Sequence, residues 1–378
     1  MTISWVESGR TFSARWQSEA GVAPPKRVMI ADDTINADTA YRLACEGTAM
    51  LWRGDFQNAY QLLQAMARRC DRKKSSKKSK QAIAPIDLKQ TFNMYRVAQA
   101  QRARVLGMLL IEVTENYQIS LKRAPDFSQA CLEAYGKYSN TFIVSLRELQ
   151  GLNGAHEWRK RGVPIKAIES KIHPHYGVFS PIRGEYLELL IKAPLPSTEV
   201  AFDIGTGTGV IATILAKRGV KKIVATDLDP RAINCAQENI KRLNLEKQII
   251  LTKTNMFPEG KASLIVCNPP WLPAKPSSPI EYAIYDPDSQ MLLAFLNGLK
   301  AHLSENGEGW LIMSNLAEHL GLRAKDELLN LIEKAGLFVE DKLDIKPNHA
   351  KVMDTENMLH EARNAELTSL WRLKVKPT

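Results

Sequence analysis

Short apolar runs alternate with helical stretches through the C-terminal half of the chain, and this alternation limits the possible folds more than any other feature. The runs at 201–204, 222–227 and 263–268 are bounded by turn residues and are predicted to be strands. The stretches between them, 210–217 and 230–244, have apolar residues at helical spacing. Strand–helix alternation of this kind builds βαβ units on a parallel sheet. The sequence from about Glu199 onwards is therefore predicted to be an α/β domain.

The end of the chain departs from this alternation. After Gly336 an apolar run at 337–345 is followed by a polar excursion at 348–365 and a final run at 369–375. We interpret the two runs as a hairpin-like pair that completes the sheet, with an antiparallel last strand. The excursion contains His349, Lys351, His360 and Arg363. It is interpreted either as a lid over a substrate or as a solvated loop.

The first 150 residues lack this strand–helix alternation and are predicted to form a mostly helical domain. The pattern from Thr39 to Arg69 favours two helices around a turn at Gly54-Asp55. Further helices are predicted at 88–116 and 128–149. Residues 151–198 are interpreted as a linker and a segment over the active site, and residues 199–378 as the second domain. A chain of 378 residues normally folds as more than one domain.

Basic residues are concentrated in one segment and are not spread over the chain. The net charge is +10, yet the segment 68–80 alone contains eight Lys or Arg residues and one acid. We interpret this segment either as a solvated connector or as a contact for RNA phosphates. The five cysteines are scattered without a CxxC pair, which argues against disulfides and a zinc site. A reducing, cytoplasmic location is expected, because no signal peptide or long apolar run is found.

A glycine-rich loop follows the first predicted strand of the α/β region. It reads Asp203-Ile-Gly-Thr-Gly-Thr-Gly209, and a helix begins directly after it. Closely spaced glycines let the backbone approach a ligand, and a helix start offers unpaired N–H groups. Asp227 ends the next strand, 20 residues after Gly207, where an acid can accept both hydroxyls of a ribose. The series predicts a nucleoside site. NAD is the rival ligand, but its fingerprint is GxGxxG, whereas the spacing here is GxGxG with an acid two residues before the first glycine.

These two segments resemble the first two motifs of the class I S-adenosylmethionine-dependent methyltransferases. The resemblance implies a Rossmann-like fold with a seven-stranded, mostly parallel sheet and an antiparallel last strand. It also implies S-adenosylmethionine as cofactor, with the first acid orienting the glycine loop and the methionine moiety. A third family position, usually Asp, falls on Asn255, whose side-chain oxygen can still accept a bond from the adenine amine. The cofactor residues implied in this way are Asp203, Gly205, Thr206, Gly207, Gly209, Asp227, Leu228, Asn255 and Met256.

The motif Asn268-Pro269-Pro270-Trp271 ends the predicted strand at 263–268, at the edge where open α/β sheets bind ligands. Two prolines can end a strand, but a turn alone requires neither the Asn before them nor the aromatic after them. An amide or exocyclic amine is a poor nucleophile because its lone pair is conjugated. If the Asn268 side chain and the Pro269 carbonyl accept its two N–H groups, the lone pair can turn towards a methyl donor. Trp271 then offers a flat face to a planar substrate.

This motif resembles that of the N-methyltransferase branch of the family, whose members methylate adenine N6, guanine N2 or the glutamine side-chain amide. The following Leu272-Pro273 resembles the release-factor glutamine methyltransferases. The segment 173–185 lies just upstream, where the family places residues over the cofactor and target, and Phe179 and Arg183 are our substrate-contacting candidates. His173 and His175 are expected to be hydrogen-bonded loop residues, and no metal is expected.

Three functions remain open on the sequence alone. The first is N-methylation of a base in rRNA or tRNA, with DNA as a less favoured substrate. The basic segment 68–80 favours RNA. The second is methylation of a protein glutamine, favoured by the Leu-Pro after the motif. The third is a non-catalytic or NAD-binding Rossmann protein. RNA or a protein is therefore the expected partner, a membrane is not, and the oligomeric state is left open.

Overall fold

The computed structural model describes residues 1–72, 87–138, 140–181, 184–276, 279–347 and 358–377. Two compact units are present. The first unit comprises residues 1–86 and 93–157, and the second comprises 87–92 and 158–378. Within the described ranges, no helix is long and apolar enough to cross a membrane. In that same part of the chain, no three His, Cys, Asp or Glu side chains are grouped as a metal ion would require.

The first unit contains a six-stranded mixed sheet with the order β1-β2-β6-β5-β4-β3. Its strands are β1 (Thr2–Glu7), β2 (Arg10–Trp16), β3 (Arg27–Ala31), β4 (Thr48–Trp52), β5 (Leu109–Val113) and β6 (Phe142–Ser145). The helices that begin within residues 1–157 are α1 (Ala37–Cys45), α2 (Phe56–Asp71), α3 (Leu88–Leu106), α4 (Ser128–Tyr135) and α5 (Leu146–Arg161). Parallel pairing joins β3, β4 and β5, whereas β6 is antiparallel to β5.

The prediction of a mostly helical N-terminal domain is wrong, because each predicted helical run contains a strand. The run 39–69 includes β4, the run 88–116 includes β5, and the run 128–149 includes β6. Most residues of these three strands are buried. A strand that is covered on both faces has a continuous apolar sequence without a two-residue period, so its pattern cannot be distinguished from that of a buried helix.

The second unit contains the strand–helix alternation that the sequence predicts. Its strands are β7 (Val163–Ile165), β8 (Ser170–Ile172), β9 (Val200–Ile204), β10 (Lys222–Asp227), β11 (Ile249–Lys253), β12 (Ala262–Cys267), β13 (Leu303–Ser314), β14 (Leu337–Ile345) and β15 (Thr368–Val375). Its helices are α6 (Glu185–Lys192), α7 (Val210–Lys217), α8 (Pro230–Arg242), α9 (Gln290–His302), α10 (Leu316–His319), α11 (Glu327–Lys334) and α12 (His360–Asn364).

A seven-stranded sheet forms the centre of this unit, with the order β11-β10-β9-β12-β13-β15-β14. Strands β9 to β13 pair in parallel with one another. The last strand, β15, is antiparallel to both β13 and β14. The predicted Rossmann-like sheet with an antiparallel last strand is therefore confirmed. Buried residues form an apolar layer on each face of the sheet, with α7 and α8 contributing to one layer and α9 and α11 to the other.

Local sequence explains where the helices that flank the site begin. Asp229 caps α8 by accepting a hydrogen bond from the Arg231 N–H at 2.8 Å, and Pro230 occupies the first helical position. Asp286 accepts bonds from the N–H groups of Met291 and Leu292 at the start of α9. Both helices therefore start at the carboxyl edge of the sheet, next to the strand ends that carry the predicted site.

Candidate active site

The strand register brings the predicted motifs together at the carboxyl edge of the sheet. Ile204 is opposite Thr226 in β10 and opposite Cys267 in β12. Gly205, the next residue, therefore has Asp227 on one side and Asn268 on the other. Since neighbouring strands lie ~4.8 Å apart, the two side positions are separated by roughly 10 Å. A ligand of nucleoside size can extend along this edge from the acid to the asparagine.

Asp203 lies at the end of β9 and is completely buried. Its Oδ2 accepts hydrogen bonds from the Thr206 hydroxyl at 2.6 Å and from the Ala212 N–H at 3.1 Å. Its Oδ1 is buried and has no hydrogen-bond partner among the described residues. Burial raises the pKa of Asp203 to about 7, although the two hydrogen bonds oppose this shift. An unsatisfied buried acceptor beside a glycine loop suits a ligand that brings an N–H donor or a positive charge.

The raised pKa of Asp203 predicts a pH-dependent stability. An acid with a folded-state pKa above its unfolded value stabilises the fold fully below pH ~4, and this contribution is lost as the pH rises through ~7. Relative to Asp203→Asn, the ligand-free wild type should therefore lose on the order of 4 kcal/mol of stability at most over this range. Calorimetric Tm values of both proteins at several pH values between 4 and 8 measure this difference. Parallel Tm profiles of the two proteins would contradict it.

The glycine loop is tied to Asp227. The Gly207 N–H donates to Asp227 Oδ2 at 2.9 Å, and the Asp229 N–H donates to Oδ1 at 3.0 Å. Burial raises the pKa of Asp227, and these backbone bonds oppose the shift. At Gly207 the backbone φ is +55°, and a Cβ built there would meet no atom within 4 Å. The loop therefore presents bare backbone to open space, as a ligand-binding loop requires.

The other implied cofactor residues lie at the same edge. Leu228 is 62% exposed directly after β10, so its apolar side chain is available to cover a ring. Asn255 is exposed two residues after β11. Met256 has a φ of +67°, and its carbonyl accepts a hydrogen bond from the Thr226 hydroxyl at 2.6 Å. The side chain of Met256 packs against the apolar layer of α9. The left-handed turn therefore directs Met256 inwards and leaves Asn255 at the surface.

The Asn-Pro-Pro-Trp segment follows β12 at the same edge. Asn268 and Trp271 are half-buried, and the Trp271 Nε1–H donates to Asn268 Oδ1 at 3.0 Å. The indole ring packs against the apolar layers on both faces of the sheet. Cys267, just before the motif, is fully buried, and burial raises the pKa of its thiol well above the usual value. The thiol is therefore protonated and is not a nucleophile at neutral pH.

A second segment supports this motif and was missed in the sequence. The Leu272 N–H donates to the Ile284 carbonyl at 3.2 Å, and the Asp286 N–H donates to the Leu272 carbonyl at 2.9 Å. Asp286 in turn caps α9, whose Met291 packs over the glycine loop. A Cβ built on Gly205 would lie 2.6 Å from Met291 Cε, and the φ of +71° at Gly205 favours glycine at this position. An Asp-Pro pair before an apolar helix was the available signal for a cap, but its contacts are not local in sequence.

Arg323 is another residue that the motifs did not reveal. It is 5% exposed and donates to the Ser289 hydroxyl at 3.1 Å and to Met313 Sδ at 3.6 Å. Burial lowers the pKa of this guanidinium, and the nearby carboxylates of Glu327, Glu318 and Asp286 oppose the shift. Arg323 thus connects the loop before α9 with the end of β13, the strand next to the Asn-Pro-Pro corner.

The segment upstream of α6 is attached to α8 by side-chain hydrogen bonds. Asn239, 1% exposed, accepts from the His173 N–H at 2.8 Å and donates to the carbonyls of His173 at 3.2 Å and Thr208 at 3.0 Å. His175 Nε2 lies 3.0 Å from Glu238 Oε2, and Arg159 also binds this carboxylate at 2.9 Å. Burial would raise the pKa of Glu238, but these bonds hold it below its usual value. Both histidines thus have hydrogen-bond partners, as expected.

Several predicted contact residues are exposed or lie outside the described residues. Phe179 is 39% exposed in the loop before α6. Arg183 lies outside the described residues, as do 73–80 of the basic segment and 348–357 of the C-terminal excursion, including His349 and Lys351. The described end of that excursion contains α12. Leu359, just before this helix, and Ala362 within it are both buried. This part is therefore a packed helix and not a solvated loop.

Comparisons with known proteins agree with this geometry. A family model described as ribosomal protein L11 methyltransferase matches residues 186–269. A protein of Methanocaldococcus jannaschii, whose name as a protein N5-glutamine methyltransferase is provisional, is 29% identical over 199 residues. This match covers 50% of the present chain and 95% of the archaeal protein. A release factor glutamine methyltransferase of Streptococcus pneumoniae is 35% identical over 122 residues, which are 32% of this chain and 41% of that enzyme.

A methyltransferase from Pyrococcus furiosus aligns with 59% of this chain and 98% of its own, with 20% sequence identity and a TM-score of 0.40. The chain spans less than half of the length of the release factor enzyme that it matches. The matched family region contains the glycine loop, Asp227 and the first two residues of the Asn-Pro-Pro motif. These matches support a class I S-adenosylmethionine-dependent methyltransferase.

Proposed function

We propose that this enzyme methylates a planar nitrogen, either a side-chain amide or an exocyclic amine, that is held at Asn268. The observation that carries this proposal is the position of Asn268, directly after the strand that pairs with the one preceding the glycine loop. The Asn268 oxygen has two lone pairs, of which the Trp271 N–H uses one. The other lone pair can accept an N–H from the substrate.

The residues present fit the cofactor. Asp203 would face the methionine end, where its buried and unsatisfied Oδ1 suits an ammonium group. Asp227 would hold the ribose and Leu228 would cover the adenine. Asn255 would accept a hydrogen bond from the adenine amine, with Met256 packed beneath the loop. Thr206 and the glycines at 205, 207 and 209 would form the loop against the cofactor. When bound, S-adenosylmethionine supplies an electrophilic methyl group on a sulfonium sulfur.

The protein's own contribution to the reaction is positioning. Asn268 Oδ1 and the Pro269 carbonyl would accept the two N–H groups of the substrate, which turns the nitrogen lone pair out of conjugation. The lone pair would then face the methyl group that the bound cofactor supplies, and the methylated nitrogen would lose its extra proton to water. Alignment of this kind is worth roughly 7–11 kcal/mol of the barrier. No basic side chain is needed, and the motif contains none.

A glutamine side chain in a protein is the acceptor that we favour. The archaeal relative, which is matched over 95% of its length, is provisionally named as a protein N5-glutamine methyltransferase. The streptococcal relative is named as a release factor glutamine methyltransferase. The Leu272-Pro273 that follows the motif supports the same choice. Phe179 and Arg183 stay candidates for contacting the acceptor.

An exocyclic amine of an RNA base is the second candidate, and the basic segment favours it. Arg68 and Arg72 at the end of α2 are exposed, and lysines dominate the sequence that follows. Basic clusters bind phosphates and release counterions, so RNA binding through this segment would weaken steeply with salt.

Transfer of a labelled methyl group separates these acceptors. Cell extract from a strain that lacks the enzyme is divided into protein, RNA and DNA fractions, and each is incubated with the enzyme and S-[methyl-³H]adenosylmethionine. We expect label in the protein fraction, recovered as N5-methylglutamine after enzymatic digestion. Label in RNA alone would establish the second candidate. Asn268→Ala provides the background, and equal labelling by this variant would overturn the proposed site.

A further inference from the structure

The hydrogen bond from Trp271 to Asn268 determines which way the catalytic amide faces. An indole Nε1–H is a donor only, so the atom that it contacts at 3.0 Å must be the amide oxygen. Trp271 itself is held in place, because its ring packs against both apolar layers of the sheet. The prolines after Asn268 restrict the backbone, but they do not act on the rotation of the Asn side-chain amide.

We propose that Trp271 is a positioning residue that holds the Asn268 amide with its oxygen towards the reacting nitrogen. This inference rests on the proposed function of the same site. Rotation of the amide by 180° would present the Asn268 NH₂ group to the substrate's own N–H groups, and two donors cannot bond to each other. The indole excludes this orientation, because its N–H would then also face a donor. The bond therefore selects the amide orientation that is productive.

This role is separate from stacking, which any aromatic ring could provide. Phenylalanine has a flat apolar face but no donor, so Trp271→Phe removes the hydrogen bond and keeps a ring. A neutral hydrogen bond of this kind typically contributes two- to tenfold to an equilibrium between orientations. We expect Trp271→Phe to lower kcat about tenfold, with little change in KM or in the Kd of S-adenosylmethionine. Trp158→Phe is the matched control, since Trp158 is 48% exposed and belongs to α5, not to the motif.

The decisive comparison is made in an Asn268→Asp background. A carboxylate has two equivalent oxygens, so its rotation by 180° changes nothing and no residue is needed to orient it. Trp271→Phe should therefore lower kcat less than twofold when residue 268 is aspartate. If Trp271→Phe lowers kcat equally in both backgrounds, Trp271 acts through its ring alone and the proposal is wrong.

A spectroscopic measurement tests the bond without any substrate. In protein labelled with ¹⁵N-tryptophan, the Trp271 indole resonance is assigned by its absence in Trp271→Phe. We expect its proton to shift upfield by about 0.5 ppm or more in Asn268→Ala, while the Trp158 resonance stays in place. An unchanged Trp271 resonance would overturn the proposed bond. If the bond is detected but no fraction accepts a methyl group from the wild type, the proposed function has failed and the bond has only a structural role.

Discussion

Asn268→Ala is expected to lower the rate of methyl transfer about a thousandfold, while the Kd of S-adenosylmethionine changes less than twofold. The variant removes the oxygen that accepts the substrate N–H, and a lost positioning or charge-stabilising group of this kind typically costs 10²–10³ in rate. Asn268 lies directly after β12, whereas the predicted cofactor residues lie on β9, β10 and β11 or directly after them. The cofactor should therefore bind normally.

Single-turnover kinetics and calorimetric titration with S-adenosylhomocysteine measure the two quantities separately. Asn330→Ala is a suitable control, because Asn330 is exposed on α11. Asn268→Asp should keep more activity than Asn268→Ala, since a carboxylate still accepts the N–H group. If Asn268→Ala transfers methyl groups at the wild-type rate, the corner after β12 is not the acceptor site.

Asp227→Ala is expected to have the opposite profile, with a roughly hundredfold weaker affinity for both S-adenosylmethionine and S-adenosylhomocysteine. The variant removes the proposed ribose acceptor and also frees the Gly207 N–H, which Asp227 now holds at 2.9 Å. Hydrogen bonds to a charged group are worth about 1.5–3 kcal/mol each, so the loss of one or two accounts for this factor. At saturating cofactor, kcat should stay within a few-fold of the wild-type value.

Asp229→Ala is the matched control for this prediction. Asp229 is exposed, lies two residues from Asp227 and caps α8 through the Arg231 N–H. Its removal should reduce stability by about 1 kcal/mol, as the loss of a helix cap does, and change the cofactor Kd less than threefold. Isothermal titration of both variants decides the matter. Equal Kd values for Asp227→Ala and the wild type would remove Asp227 from the site.

The sequence predicted the second unit well because its signals are local. Strands such as Val200–Ile204 are short apolar runs that stop at turn residues, and the glycine loop and Asp227 follow two of them directly. In a parallel sheet the carboxyl ends of neighbouring strands meet, so motifs that end strands also meet. Asp203, Asp227 and Asn268 could be placed at one edge for this reason alone.

The remaining features depend on contacts that no sequence window contains. Leu109–Val113 was predicted to continue a helix, because a fully buried strand has no polar face to reveal its period. Met291 is 86 residues from Gly205, yet its methyl group lies directly against this glycine. The bond between Trp271 and Asn268 spans three residues and was missed because the orientations of both side chains depend on packing.

The hydrogen bonds of Asn239 have a practical consequence for dividing the protein. The Asn239 side-chain amide joins α8 to Thr208 in the glycine loop and to His173. His173 lies some 27 residues before the first strand of the seven-stranded sheet. A fragment that begins at Glu199, where the strand pattern begins, would lack His173. The Asn239 amide would then lose two hydrogen bonds, and α8 would lose the segment that these bonds attach to it. Any excised catalytic unit must therefore start upstream of His173.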